Sequence, residues 1–359
     1  MLTYIVRRLL LMIPTLIGIT ALVFSIMAIA PGGIGAALRA AEGNMRPEQR
    51  REIEEYLKKQ YGLDKPAYEQ YLRWLNNVSP IGLKSPDIGW PHRWRFGVKT
   101  SELGQSWIRR QPVMDIFATA LPITLLLNAV TIPIIYAIAV TAGIYAARTR
   151  GKAFDLISGT TFMALWSIPV MCTGVLMLGF LANKDYLQAF PTGGLHSTLA
   201  QAMPFLPHHT ASGWEAGWLT DFIWHLVLPV ACLTYGGFAF LSKLMRASVL
   251  ENLSADFART ARAKGLSEKV VLFRHVLRNS LLPLITVAAS ILPGLIGGAV
   301  IVESIFSING MGKTMVDAIF VKDQDVVMAE TLVVGVVTLF SLLLADVCYA
   351  IADPRVSYD

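Results

Sequence analysis

Residues 117–147 read FATALPITLLLNAVTIPIIYAIAVTAGIYAA, a stretch without a single Asp, Glu, Lys, Arg or His. A helix needs about 20 apolar residues to cross a ~30 Å hydrocarbon core, so the stretch reads as a membrane span. Working outward, the same reading applies to residues 9–30 on one side and to 156–181, 222–241, 281–303 and 328–351 on the other. The sequence predicts an all-α, polytopic membrane protein with six transmembrane helices and a small helical segment outside the bilayer. Composition agrees: 54% of residues are hydrophobic and 16% charged, against about 25% charged in soluble domains. Mean hydropathy is +0.52.

The N-terminus imitates a secretory signal, with Arg7 and Arg8 before an apolar run and Ala28-Ile29-Ala30 resembling a cleavage site. The run from 9 to 30 exceeds the roughly 7–15 residues of such a signal, and Pro31 would follow the cut, so it reads as a retained first span. Cys172, Cys232 and Cys348 lie in apolar runs at spacings that fit neither a zinc site nor a disulfide framework. They read as packed or lipid-facing thiols. The net charge of +6 comes without an aromatic-basic motif, which argues against nucleic acid.

Six spans put both termini on one side. Arg7, Arg8, Arg148, Arg150, Lys152, eight basic residues from Lys243 to Arg278, and Arg355 share that side, whereas the short loops 182–221 and 304–327 carry only Lys184, Lys313 and Lys322. The positive-inside rule therefore predicts cytoplasmic N- and C-termini. The chain divides into a tail and first span at 1–30, an extracytoplasmic segment at 31–116, a core at 117–351 with a cytoplasmic loop at 243–278, and a tail at 352–359. Within the extracytoplasmic segment, Pro47 to Leu75 reads as helical with breaks at Gly62 and Pro66, and 76–100 as irregular. Trp90, Trp94 and Trp107 are candidates for the membrane surface or for packing.

The loop between spans four and five, SKLMRASVLENLSADFARTARAKGLSEKVVLFRHVLRNSLLP from Ser242, is strongly helical in propensity. A helix over Phe257–Lys264 should stop at Gly265, and Ser267 is placed to cap a second helix running to Arg278. Two short helices meeting at a glycine make a compact knob, and small residues such as Ala261 and Ala263 would let it seat closely in a partner's groove.

This loop resembles the one that carries the Glu-Ala-Ala…Gly motif in the inner-membrane permeases of bacterial ABC importers. Arg259, Thr260, Ala261 and Gly265 stand at its positions, and His275-Val276-Leu277-Arg278 replaces the usual Ile-x-Leu-Pro. RTARAKGLSEKVVLFRHVLRN looks like the variant of the dipeptide and oligopeptide branch. The likeness extends to YIVRRLLLMIPTL, Pro31-Gly32-Gly33, YGLDKPAYEQYLRWL, LGQS at 103–106, Pro112-Val113, LPITLLL, WHLVLPV, VESIFSINGMG at 302–312 and Asp353-Pro354-Arg355. Within that branch the permease of the peptide and microcin C type looks nearest, while residues 76–96 look inserted.

The resemblance implies a type I importer permease in the bacterial inner membrane. Its partners would be a second permease subunit in a heterodimer, two cytoplasmic ATPase subunits that hold ATP and Mg, an extracytoplasmic solute-binding protein, and lipid. No cofactor is expected in this chain. Arg259, Thr260, Ala261, Arg262, Ala263, Lys264, Gly265 and Leu266 are implied to couple it to the ATPases. Peptides are the implied solutes, with nickel and oligosaccharide as alternatives in the same branch. An ion-gradient-driven transporter is the rival class, but no inverted repeat is visible.

Gly312-Lys313-Thr314 imitates the end of a phosphate-binding loop, yet Ser307 stands where its first glycine is required. His196, His208 and His209 lack ligand spacing and read as exposed loop residues. No HExxH, GxSxG or intramembrane Asp pair is present, so no catalytic residue is expected. Asn128 and Ser290 are candidates to line the translocation pathway or to bond between helices. Glu303 and Asp346, near span ends, read as interfacial, and the span prolines at 133, 169, 229, 283 and 293 as tolerated, some marking bends.

Overall fold

The computed structural model describes residues 2–30, 64–84, 95–210, 213–289 and 299–352, with a few single positions besides. Ser290, Pro293, Trp90, Trp94, the Pro31-Gly32-Gly33 and Asp353-Pro354-Arg355 motifs and most of the predicted helix before Gly62 lie outside the described residues. In chain order the elements are α1 (Leu2–Ile29), α2 (Ala67–Val78), β1 (Ile81–Lys84), β2 (Arg95–Val98), α3 (Val113–Arg148), α4 (Ala153–Ser167) and α5 (Val170–Met177). Next come β3 (His208–Thr210), β4 (Gly213–Glu215), α6 (Trp218–Ser254) and α7 (Asp256–Ala263). A composite helix α8 then joins Glu268–Val270, the π-type Val271–Val276 and Leu277–Ser280. The described elements end with α9 (Leu282–Ala289), α10 (Val300–Ile305), α11 (Met311–Val321) and α12 (Gln324–Ala352).

Five helical stretches are long and apolar enough to span, or six if the bent pair α4–α5 is one span. The predicted count is thus met only with a broken third helix. The break has a local cause. Pro169 disfavours the helical conformation at the residue before it, Ile168 is extended at ψ 122°, and the chain bends by 89°. The Tyr235 hydroxyl donates to the freed Ile168 carbonyl at 2.7 Å, and Thr173 donates to Tyr235 at 3.0 Å. A neighbouring helix thus satisfies what the proline releases.

Other departures concern the connections. Residues 76–100 are not merely irregular: Pro66 precedes α2 as expected, and after it β1 and β2 pair antiparallel, Ile81 opposite Val98. A second hairpin, β3–β4, lies in the 182–221 insertion, with His208 opposite Glu215. The 304–327 loop holds the α11 helix. The predicted cytoplasmic loop is hardly a loop, since α6 runs unbroken through Ser254 and the next spanning stretch begins at Glu268.

The chain forms two compact units, Met1–Leu121 with Thr314–Asp359, and Pro122–Lys313. In the first, α1 packs along α12, fixed at one end by Asp346, which accepts from Tyr4 at 2.7 Å and pairs with Arg8 at 3.1 Å. Farther along, Phe24 packs with Trp74 of α2 and Met328 of α12. In the second, one core joins Ala139 and Ile144 of α3, Met245 and Val249 of α6, Ala258 and Ala261 of α7, and Val271, Leu272 and Val276 of α8. Small residues let these helices approach: a Cβ on Gly143 would lie 2.6 Å from the Met245 side chain.

Candidate functional site: a helical knob and two carboxylate nodes

The turn between α7 and α8 is a Schellman stop. Leu266 N–H donates to the Ala261 carbonyl at 3.3 Å, Gly265 N–H donates to Arg262 at 2.9 Å, and Gly265 has φ +79°. Glycine is the residue that adopts this left-handed conformation without strain. Ser267 occupies the cap position of α8 but makes no capping hydrogen bond with its side chain, contrary to the sequence expectation. Arg262 closes the turn from inside, pairing with Glu268 at 2.8 Å and donating to the Leu253 carbonyl at 3.1 Å.

The knob's small residues do not all face outward. Ala258 and Ala261 are buried against the unit's own helices, which removes Ala261 from the predicted contact surface, and Arg262 is a strut rather than a free cation. Arg259, Thr260, Ala263, Lys264, Gly265 and Leu266 are exposed. Phe257, Val270 and Phe273 are exposed beside them. Sequence reasoning passed over these three; the available signal was their apolar character within an otherwise hydrophilic stretch.

The π-type segment explains the knob's seating. Its wider turns let Val271, Leu272 and Val276 all bury toward α6 while Phe273 and Arg274 stay exposed. Behind it, the Ser280 hydroxyl lies 2.9 Å from the Val276 carbonyl and 3.3 Å from the Ser248 carbonyl of α6. The knob is therefore packed onto α6 as one body.

The motif VESIFSINGMG folds around Glu303. Read as interfacial, Glu303 is instead fully buried. Its carboxylate accepts from Thr124 at 2.9 Å, from Ala299 N–H at 3.1 Å and from Lys313 N–H at 3.0 Å. Met311 N–H donates in turn to the Thr124 hydroxyl at 2.8 Å. A Cβ on Gly310 would lie 2.6 Å from the Glu303 carboxylate, and one on Gly312 2.6 Å from the Val300 backbone nitrogen. Both glycines are thus required by close approach. The same contacts dispose of the phosphate-loop imitation, because a carboxylate already occupies the Lys313 N–H.

The LGQS motif makes a second node, in the other unit. Gln105 N–H donates to Asp325 at 3.0 Å and the Ser106 hydroxyl donates to Asp323. Trp107 is buried, with its indole N–H on the Lys322 carbonyl at 3.2 Å, so it packs rather than floats at the membrane surface. Gly104 has φ +89°, and a Cβ there would collide with the Asp325 carboxylate. Burial pushes the Asp323 carboxyl up, opposed by the Ser106 hydroxyl and by the Trp107, Ile108 and Val326 N–H groups. The two aspartates therefore fasten the external segment to the start of α12.

Other candidates fall differently. Asn128 is half-buried and donates to the Thr124 carbonyl of its own helix at 2.9 Å, so it bonds within α3 rather than between helices. His196 is not an exposed loop residue: it stacks on Trp218 and Phe222 at 4.6 and 5.1 Å. Burial lowers its pKa, with Asp221 opposing and His225 reinforcing the shift. Among the described residues no three His, Cys, Asp or Glu side chains are grouped to hold a metal.

The family described as "Binding-protein-dependent transport system inner membrane component" matches residues 139–358, and its N-terminal counterpart matches residues 1–128. The chain belongs to this family. The oligopeptide transport system permease protein AppB of Bacillus subtilis is 36% identical, with all of both chains covered. The di/tripeptide transport system permease protein DppB of Pseudomonas aeruginosa is 33% identical over all of this chain and 99% of its own. The inner membrane ABC transporter permease protein YejB of Escherichia coli O157:H7 is 29% identical over 99% of each. As a member of this family the chain is a multi-pass membrane permease of an ABC transport system. The narrower placement beside the microcin C type is not singled out by these relatives.

Proposed function

We propose that this permease forms half of the translocation pathway of an ATP-driven importer of peptides, with both termini in the cytoplasm. The pathway is completed by a second, different permease subunit. Two ATPase subunits holding ATP and Mg dock below, and a solute-binding protein delivers the peptide from outside. The charge asymmetry of the short connections supports the orientation. The end-to-end likeness to oligopeptide and di- or tripeptide permeases supports the solute class.

The observation that carries the coupling reading is the knob: an exposed glycine turn with an apolar fringe, packed without a linker onto α6. Closure of the ATPase dimer would displace the knob, and because α7, α8 and α6 share one core, the displacement passes to the spanning helices as rigid-body motion. Ala263, Gly265 and Leu266 supply the close contact, with Phe257, Val270 and Phe273 extending it. Arg259 and Lys264 set orientation on the partner's surface.

Co-purification tests this. Gly265→Trp should leave membrane insertion intact and weaken recovery of the ATPase subunits. Leu266→Asp, which leaves the glycine turn untouched, should do the same. Unchanged recovery and unchanged solute-stimulated ATP hydrolysis in both variants would refute coupling through this turn. Transport that persists without ATP while an ion gradient is maintained would favour the gradient-driven class instead.

A further inference from the structure

A cavity of about 300 Å³ opens between α3, α4 and α6 in the unit Pro122–Lys313, at the end of these helices nearer the knob. Asp155 and Arg246 line its polar end: Arg246 donates through Nε and Nη2 to the two carboxylate oxygens at 2.5 and 2.8 Å, and Gly151 N–H donates to the same group at 2.9 Å. The Asp155 charge is fully engaged by these donors. Lys243 also lines the cavity and makes no ion pair among the described residues.

Ser242 supplies the decisive observation. It lines the cavity, is only 2% exposed, and its hydroxyl has no hydrogen-bond partner among the described residues. A buried hydroxyl left unpaired is costly, and elsewhere in this protein spanning Ser and Thr residues bond back to their own helix. An unpaired hydroxyl in a lining that also holds the Lys243 ammonium and the Arg246 guanidinium, the latter paired with Asp155, leaves the lining with a net positive charge and a spare donor. About two turns farther along α4 the lining includes Phe162 and Met163, so the polar end adjoins an apolar one.

We propose that this cavity binds a phosphate-bearing anion, held by Lys243, Ser242 and Arg246, and that the anion is the headgroup of an anionic phospholipid whose glycerol and acyl portion lies along Phe162 and Met163. Basic pockets between spanning helices at headgroup depth take such lipids. The leaflet follows from the orientation proposed above; the chemistry of the site does not depend on it.

The test uses the full-length chain extracted in mild detergent, with bound lipid measured by native mass spectrometry on titration with phosphatidylglycerol or phosphatidylcholine. The wild type should retain phosphatidylglycerol preferentially. Lys243→Gln should lower that preference about fivefold, the effect of one lysine at a lipid surface, and Lys243→Arg should restore it. Ser242→Ala should lower it as well. Lys152→Gln, a change at an exposed cation outside the cavity lining, should leave it unchanged. Equal retention of the two lipids, or an equal loss in Lys152→Gln and Lys243→Gln, would overturn the site. Displacement of the lipid by inorganic phosphate at matched concentration would overturn the lipid source in favour of the free ion. Orientation is read separately, by labelling of single cysteines from either side, so its failure is distinguishable from failure of the site.

Discussion

Replacing Glu303 by Gln changes one oxygen into an NH2 group at constant shape, and the geometry dictates where the damage falls. Oε1 accepts from both Thr124 and Ala299, whereas Oε2 accepts, among the described residues, from Lys313 N–H. The amide should therefore keep its oxygen at the doubly bonded position and turn its NH2 toward the Lys313 N–H, donor against donor. The variant loses one charge-assisted bond, about 1.5–3 kcal/mol, and strands a buried N–H, while relief from burying a charge offsets part of the loss. The expected net destabilisation is about 2 kcal/mol, roughly a 30-fold change in the folded-to-unfolded ratio. Thr124→Val removes the hydroxyl that bonds both Glu303 and the Met311 N–H and should cost about 1–3 kcal/mol. Because the two side chains share one node, the double variant should fall short of the sum, with a coupling of about 0.5–3 kcal/mol. Unfolding in mixed micelles of a mild detergent and dodecyl sulfate measures all four proteins. A Glu303→Gln protein as stable as the wild type, or a double variant whose cost is the plain sum, would refute the node.

Gly265→Ala should lose about 1–2 kcal/mol from the left-handed turn while Gly265→Asn loses less, since the added Cβ meets open space and only the backbone is strained; the same unfolding assay reads both. Gly104→Ala combines a φ of +89° with a collision against Asp325, so the external segment should become measurably easier to cleave by protease added from its side. His196 has a lowered pKa in the folded protein, so the unfolded chain binds the proton first as pH falls. Stability should therefore drop as pH falls below the ordinary histidine value of about 6.5, and His196→Phe should flatten that dependence in melts recorded between pH 5 and 8. Arg262→Ala should loosen the knob by removing its bonds to Glu268 and Leu253, seen as faster amide hydrogen exchange over 256–270.

The spans were legible because hydropathy is additive along the chain: nothing about residues 117–147 needs a partner to be read. Gly265 was legible for a related reason, since a glycine after a helical run has one common use. Burial was not legible. Ala261 and Ala263 are the same residue type two positions apart, yet one faces the core and the other solvent, and only the packing of α7 on α6 decides which. Glu303 illustrates the same gap in the opposite sense. A carboxylate near the end of a span is read as surface until three donors from residues 124, 299 and 313 are seen to converge on it. The two glycines of the motif were the available signal, for glycines next to a charged residue mark a place where another group must come close. The break at Pro169 was visible as a residue but not as an 89° bend, because a proline within a span is compatible with either a continuous or a broken helix.

The contrast between that break and α6 bears on how work could be transmitted. α6 has 37 residues, about 55 Å at 1.5 Å per residue, and it carries the knob's packing at one end. At the other end Trp218 and Phe222 pack against His196, so the 182–221 insertion and the knob are attached to one continuous helix. The bent α4–α5 pair lies against the same helix, tied to it by the Tyr235 hydroxyl at the point of the break. A displacement applied at the knob runs along a helix that Pro229 deprives of one ladder bond without ending it, and the sharpest break beside it is the 89° bend at Ser167–Pro169. On the proposed mechanism the helix would move as a whole and the bend would absorb the change. The sequence reading that some span prolines mark bends thereby acquires a named case: on this proposal α6 would serve as the lever and the Ile168–Pro169 corner as the compliant element beside it.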